Sequence, residues 1–257
     1  MAEEILCETR GASALVTLNR PHRRNSVDGG TARALYDAVK AADADPEVSV
    51  IILTGAGGNF CAGADLQAFA AGDSPNPLID GGDLGPMGAS RLRTQKPVIA
   101  AIEGYAVAGG LELALWADLR VMAEGAVMGV FCRRFGVPLI DLGTIRLPRL
   151  IGHSRAMDLI LTGRAVEAEE ALAIGLANRI APRGQALDLA LDLAAQIAAF
   201  PQACLRNDRA SALDQWSLDW EAATAQEMAL GRISLKAGEG RAGARRFVDG
   251  QGRGGAF

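Results

Sequence analysis

The chain has few of the residues that most often carry chemistry through a ring nitrogen or a thiol. Of its 257 residues only two are histidine, His22 and His153, and four are cysteine, Cys7, Cys61, Cys132 and Cys204. The cysteines are widely scattered, with no CxxC pair and no histidine grouped beside them. That argues against a structural zinc site and for reduced thiols. With two histidines, a nucleophile–histidine triad has little support. Neither a GxSxG elbow nor a GxxxxGK[ST] phosphate loop occurs, so two large enzyme classes lose their usual signatures. No segment approaches the ~20 uninterrupted apolar residues of a membrane span. The net charge of −4 and the lack of a basic–aromatic pattern argue against a nucleic-acid partner. The first residues, Met1-Ala2-Glu3-Glu4, are acidic and carry no basic-then-apolar leader, so a cytoplasmic location is expected.

Hydrophobic residues at 49% and charged residues at 22% suit an ordinary globular core. Two strand-like runs, Ile5 to Thr9 and Ala14 to Leu18, flank Arg10-Gly11-Ala12-Ser13 and read as a hairpin. Leu35, Ala38, Val39 and Ala42 recur at helical spacing, and Pro46 marks the end of that helix. Val48 to Leu53 is continuously apolar, as a strand buried on both faces must be. Residues 72–88 are rich in Gly, Pro and Asp and read as a mobile surface loop. Val98 to Ile102 and Leu119 to Met122 are further strands, separated by the glycine turn Gly104 to Gly110 and a helix through Leu111, Leu115 and Trp116. Strand, glycine turn and helix alternate, which makes the fold class α/β with crossover connections.

Beyond about residue 150 strand signals become scarce. Ala156 to Leu161, Ala165 to Ile174 and Leu187 to Phe200 suggest helices, the last with an apolar stripe of Leu187, Ala190, Leu191, Ala194 and Ala198 closed by Pro201. The expected division is a core over residues 1–195 and a helical C-terminal subdomain over 196–257 that carries oligomer contacts. Trp216 and Trp220, at i and i+4, either supply those contacts or form a local core stripe.

Two turns each follow a buried strand and precede a helix: Phe60-Cys61-Ala62-Gly63-Ala64-Asp65-Leu66 and Gly104 to Glu112. Small residues allow the backbone close to a ligand, and helix N-termini present unpaired N–H groups. Two such groups converging on one point make an oxyanion hole worth several kcal/mol. FCAGADL at 60–66 and KPVIAAIEGYAVAGGLELALWADLRV at 96–121 resemble the crotonase (enoyl-CoA hydratase/isomerase) superfamily. NRPHRRNS at 19–26, RLPRLIGHSRAMDLILTGR at 146–164 and a weaker GARRFVDG at 243–250 support the resemblance.

The resemblance implies a crotonase-like ββα spiral core and an acyl-CoA thioester as substrate, with coenzyme A entering as part of it and no metal or other cofactor. It implies a homotrimer or a dimer of trimers. The oxyanion hole falls on the N–H groups of Ala64 and Gly109, and Cys61, Ala62, Ala64, Asp65 and Leu66 wrap the coenzyme A moiety, with the Ala62 carbonyl near the adenine. Arg24, and with it Arg23, either approaches the phosphates or is a solvated loop charge. Glu112 stands where the family places its first catalytic carboxylate; the rival reading is a helix-start Glu favoured by the dipole. The second hydratase glutamate is replaced by Cys132, whose thiol is a poor substitute and reads as a small apolar filler. Asp141 is either the replacement acid/base group or the N-cap of a helix starting near Leu142. Arg133 and Arg134 either meet an anionic acyl tail or form a surface or intersubunit salt bridge. Hydration of a 2-enoyl-CoA is the first expectation. The alternatives are double-bond isomerisation, acyl-CoA binding without turnover and, more weakly, RNA binding.

Overall fold

The first two strands, β1 (Ile5–Arg10) and β2 (Ser13–Leu18), pair antiparallel as a hairpin, Ile5 opposite Leu18 and Arg10 opposite Ser13. The computed structural model describes residues 3–252. β1 lies at the sheet edge and is mostly exposed, whereas β2 is apolar almost throughout because both its faces are covered. Asp28 then caps α1 (Gly29–Ala44), its side chain accepting the Thr31 N–H at 3.0 Å, and Ala32, Leu35 and Val39 turn into the core. β3 (Val50–Gly55) follows, fully buried up to its last residue.

From there the chain winds in repeated turns. α2 (Leu66–Ala71) follows β3; β4 (Val98–Ile102) leads through β5 (Tyr105–Val107) into α3 (Gly109–Trp116); β6 (Leu119–Ala123) leads through β7 (Val127–Gly129) to α4 (Gly143–Ile151). α5 (His153–Thr162), β8 (Ala165–Glu167), α6 (Ala168–Ala173), β9 (Arg179–Ala181) and α7 (Ala186–Ala198) complete this part. The long sheet has the order β1-β2-β3-β4-β6-β9, parallel after the hairpin, and a short sheet has the order β5-β7-β8. Single bridges between Val27 and Ala64 and between Cys61 and Ala106 continue the short sheet backwards along the chain. Each turn thus lays one strand in the long sheet, one short stretch in the other, and then a helix. This is the ββα spiral of the crotonase fold.

The end of α3 is pinned by Arg120 of β6, whose buried guanidinium donates to the carbonyls of Ala117 (2.6 Å), Ala114 (3.3 Å) and Leu176 (2.7 Å). A cation on the last carbonyls of a helix is favoured by the dipole and satisfies otherwise orphaned acceptors.

Several expectations need correction. The segment Ala165–Glu167 is a strand paired with β7, so the helix expected over Ala165 to Ile174 begins only at Ala168. β5, β7 and β9 are likewise three-residue strands, too short to show an alternation. The loop at 72–88 is exposed through Asp83 apart from Asn76 and Pro77, but Gly85 to Gly88 are buried, and Asn76 Nδ2 donates to the Val27 (3.1 Å) and Pro86 (2.9 Å) carbonyls. Its last four residues, Gly85 to Gly88, are therefore core rather than surface.

The structure divides into two compact units, Met1–Ile197 and Ala198–Phe257. The second is helical: α8 (Gln202–Asp214), α9 (Trp220–Lys236) and α10 (Glu239–Val248). Within it Glu239 accepts the Ala203 and Cys204 N–H groups at 3.1 and 3.0 Å, and Asn207 donates to Ser234 at 3.0 Å. Trp216 and Trp220 do not share a helix. Trp216 lies in the single turn Gln215–Ser217, and Asp219 starts a new helix at Trp220, which is 87% exposed. They form no core stripe. Among the described residues no helix is long and apolar enough to cross a membrane, and no cluster of three His, Cys, Asp or Glu side chains could hold a metal ion.

Candidate active site

The two glycine turns are pressed together, and their glycines are needed for that contact. A Cβ on Gly110 would stand 2.0 Å from the Cys61 carbonyl oxygen, and one on Gly63 would stand 2.9 Å from the Gly109 nitrogen. Ala108, just before α3, adopts φ 55° and ψ −125°, a strained conformation for a residue with a side chain. The strain lies where the chain turns from β5 into the helix. Ala64 and Gly109 both line one cavity of about 480 Å³, and among the described residues neither N–H has a hydrogen-bond partner. Two unpaired N–H groups on one apolar cavity are the donors an oxyanion needs.

Glu112, in the first turn of α3 and only 2% exposed, opens on the same cavity. Its Oε1 accepts the N–H groups of Asp141 at 2.9 Å and Gly143 at 2.8 Å. Burial, and then the nearby Asp141 carboxylate, push its pKa up to about 8 despite those two donors. Asp141 also lines the cavity; its Oδ1 accepts the Met87 N–H at 2.9 Å and the Ser90 hydroxyl. Burial raises its pKa as well, opposed by the Ser90 and Met87 hydrogen bonds and by the positive charges of Arg91 and Arg146.

Asp141 does not cap a helix. The residue preceding α4 is Leu142, in the left-handed region at φ 69°, and no side chain caps that helix. The Asp141 carboxylate is drawn instead toward the Met87–Ser90 segment. Cys132 lies on the cavity wall, its thiol pKa raised by burial and then by the Glu112 charge, so it is neutral at pH 7. Arg133 and Arg134 are engaged with main-chain carbonyls, Ile160 at 3.0 Å and Gly163 at 3.2 Å, and among the described residues neither pairs with an acid.

The other expected ligand residues separate by atom. Ala62, Ala64 and Leu66 line the cavity. The Cys61 side chain is fully buried away from it, its Sγ accepting the Gly63 N–H at 3.4 Å and its pKa pushed up to about 12 by burial. The Asp65 carboxylate is also turned inward. It caps α2 through the Gln67 and Ala68 N–H groups and pairs with Arg20 at 3.0 Å. Neither side chain reaches the cavity. Arg24 is exposed beside this turn: its carbonyl accepts the Ala62 N–H at 3.0 Å and its guanidinium lies 5.6 Å from the Tyr105 ring centroid.

Residues 8–250 match the enoyl-CoA hydratase/isomerase family model. The chain belongs to this family. Over 200 residues it is 41% identical to the enoyl-CoA hydratase EchA19 of Mycobacterium tuberculosis, covering 76% of this chain and 75% of that protein. It is 38% identical over 202 residues to a carnitinyl-CoA dehydratase of Salmonella paratyphi A, covering 77% and 75%. The crystal structure of the enoyl-CoA hydratase EchA1 of Mycobacterium marinum superposes with a TM-score of 0.89 at 39% identity, over 96% of each chain. The family is one of acyl-CoA-processing enzymes with the crotonase fold, as the motifs at 60–66 and 96–121 implied.

Within that family frame the structure adds residues the motifs did not single out. Met87 and Ser90 hold Asp141, Gly143 holds Glu112, and Arg146 Nη1 donates to the carbonyls of Ser90 (2.7 Å) and Asp141 (3.3 Å). The one sequence signal was the change from polar residues to Pro86-Met87-Gly88-Ala89-Ser90 at the end of the loop, a run that solvent does not require.

Glu112 is held neutral in the folded chain over a pH range where it ionises when unfolded. Its folded pKa lies above the unfolded value near ~4.3, so the folded state loses stability as pH climbs from there to about 8. Glu112→Gln keeps an oxygen for the Asp141 and Gly143 N–H groups and removes the charge. Thermal melts should show the variant more stable than wild type at about pH 9 and nearly equal at about pH 5. Equal differences at both pH values would contradict a raised pKa.

Proposed function

We propose that the protein hydrates the double bond of a 2-enoyl-CoA thioester with an apolar acyl chain. The observation that carries this reading is the meeting of two buried carboxylates, Glu112 and Asp141, with two unpaired N–H groups, Ala64 and Gly109, on one cavity. In the proposed step the thioester oxygen accepts both N–H groups. Asp141, ionised, takes a proton from water as the oxygen of that water bonds to C3 of the acyl group. The C2–C3 π electrons move onto the thioester oxygen, and the enolate collapses by taking the proton of Glu112 at C2. The product is a 3-hydroxyacyl-CoA, and proton exchange from Asp141 to Glu112 restores the starting charges. General acid–base catalysis of this kind contributes about 10²–10⁴-fold in rate.

The backbone of Cys61 to Leu66, with the Leu66 side chain, is the proposed seat of the coenzyme A moiety. Arg24, exposed beside Ala62, is the proposed phosphate contact. No cofactor beyond the substrate's own coenzyme A is needed in this scheme. We place the protein in the cytoplasm and in fatty-acyl metabolism. The exposed apolar side chains of the second unit, Trp220, Met228, Ile233 and Leu235, support a homotrimer or a pair of trimers. Sedimentation equilibrium should return three or six chain masses; a monomer would contradict it.

One observation favours isomerisation as a second reading. Cys132, a neutral thiol, lines the cavity near Glu112 where the hydratase pattern has its second glutamate, and a double-bond shift needs only one proton carrier. Turnover separates the two. Crotonyl-CoA and a longer 2-enoyl-CoA should lose their conjugated absorbance with wild type. Glu112→Gln and Asp141→Asn should each lower kcat by about 10²-fold or more. The rate should also fall as pH rises past about 8, where Glu112 loses its proton. A wild type inert on 2-enoyl-CoAs but active on 3-enoyl-CoAs, with Asp141→Asn unimpaired, would replace hydration by isomerisation. Tight binding of every ester with no turnover would make it a binding protein.

A further inference from the structure

Asp141 is gripped by a residue outside every catalytic motif. Ser90, wholly buried in the single turn Ala89–Arg91, donates its hydroxyl to Asp141 Oδ1, the oxygen that also accepts the Met87 N–H at 2.9 Å. Among the described residues Oδ2 has no partner, which leaves it as the oxygen for the cavity. The fit has no slack: a Cβ on Gly85 would stand 2.0 Å from Ser90 Oγ and 2.9 Å from Asp141 Oδ1. Arg146 ties the same two residues through their main chains, donating to the carbonyls of Ser90 and Asp141. The main-chain N–H of Asp141 in turn reaches Glu112 Oε1. Asp141 thus links Ser90 to Glu112, its side chain accepting the Ser90 hydroxyl and its main-chain N–H donating to Glu112.

We propose that Ser90 is a positioning residue for the reaction, its hydroxyl and the Met87 N–H together holding Asp141 ionised with Oδ2 turned to the cavity. The inference rests on the reading of Asp141 as the base. A buried carboxylate favours its proton unless donors stabilise the charged form. The charged and titratable groups around Asp141 are Glu112 on α3, Arg91 on the Ser90 turn, Arg146 on α4 and Cys61 on the turn after β3. Cys132, near Glu112, completes the set. Deleting the Ser90 hydroxyl leaves all of these in place, so a change in Asp141 titration reports the lost donor.

The test follows the Asp141 carboxyl carbon by NMR in aspartate-labelled protein, with Asp141→Asn assigning the signal. In Ser90→Ala its titration midpoint should move up by about one unit. Ser90→Cys, which keeps the volume and offers a weaker donor, should fall between. With enoyl-CoA substrate the acid limb of the pH–kcat profile should move up by the same amount. KM should stay within about twofold, and Ser90→Ala should have no further effect on kcat in the Asp141→Asn background. An unmoved midpoint, or additive losses in the double variant, would overturn the proposal. If wild type turns over no 2-enoyl-CoA, the hydratase reading fails while the titration still decides the role of Ser90.

Discussion

The site depends on the hold that two main-chain N–H groups, from Asp141 and Gly143, keep on Glu112 Oε1 at 2.9 and 2.8 Å. That pair of bonds joins the start of α3 to the start of α4 and fixes which carboxylate oxygen is left for a substrate. It works because Leu142 takes a left-handed conformation at φ 69°, bringing the flanking N–H groups to one side as an anion-binding concavity. Leucine accepts that conformation at a cost of about 1–2 kcal/mol. Position 143 has no room for a side chain, since a Cβ there would stand 2.7 Å from Glu112 Oε1. The start of α3 is fixed in turn by Gly110 against Cys61 and its end by Arg120.

The two carboxylates differ in what surrounds them. Both carboxylates are buried, and burial alone would protonate both. Glu112 meets two main-chain donors on one oxygen, and its pKa still climbs to about 8. Asp141 gains a hydroxyl, a main-chain donor and the charges of Arg91 and Arg146. Burial lowers the Arg146 pKa to about 10, which leaves it cationic at neutral pH. Both acids are raised by burial, and Asp141 has the larger set of donors and cations opposing that rise. The neutral Cys132 thiol adds shape to the wall without a third charge.

Much of this was legible in the sequence where the physics is local. The buried parallel strands announced themselves as unbroken apolar runs, and the glycine turns at 60–66 and 104–112 marked where backbone approaches backbone. Glu112 was singled out through the resemblance of its flanking motif to the crotonase superfamily, since a glutamate in the first turn of a helix is by itself favoured by the dipole. What escaped was non-local. Three-residue strands such as Ala165–Glu167 carry too few residues for a pattern and exist because β7 is already there to pair with. Asp141 looked like a cap because sequence shows a nearby helix start and not the Met87–Ser90 segment, 51 to 54 residues away in the chain. Cys61 and Asp65 sit inside the segment from which ligand contacts were expected, yet their side chains serve the fold. The motif records backbone position, and side-chain direction follows from partners such as Arg20.

The central claim is that Glu112 carries the proton that reaches C2 of the acyl group. Solvent-exchange mass spectrometry in deuterated water tests it most directly, by following label at C2 of a 3-hydroxyacyl-CoA or saturated acyl-CoA bound to the protein. Incorporation is expected with wild type and, at a reduced rate, with Asp141→Asn, and is lost in Glu112→Gln. Label entering C2 as fast in Glu112→Gln as in wild type would contradict it.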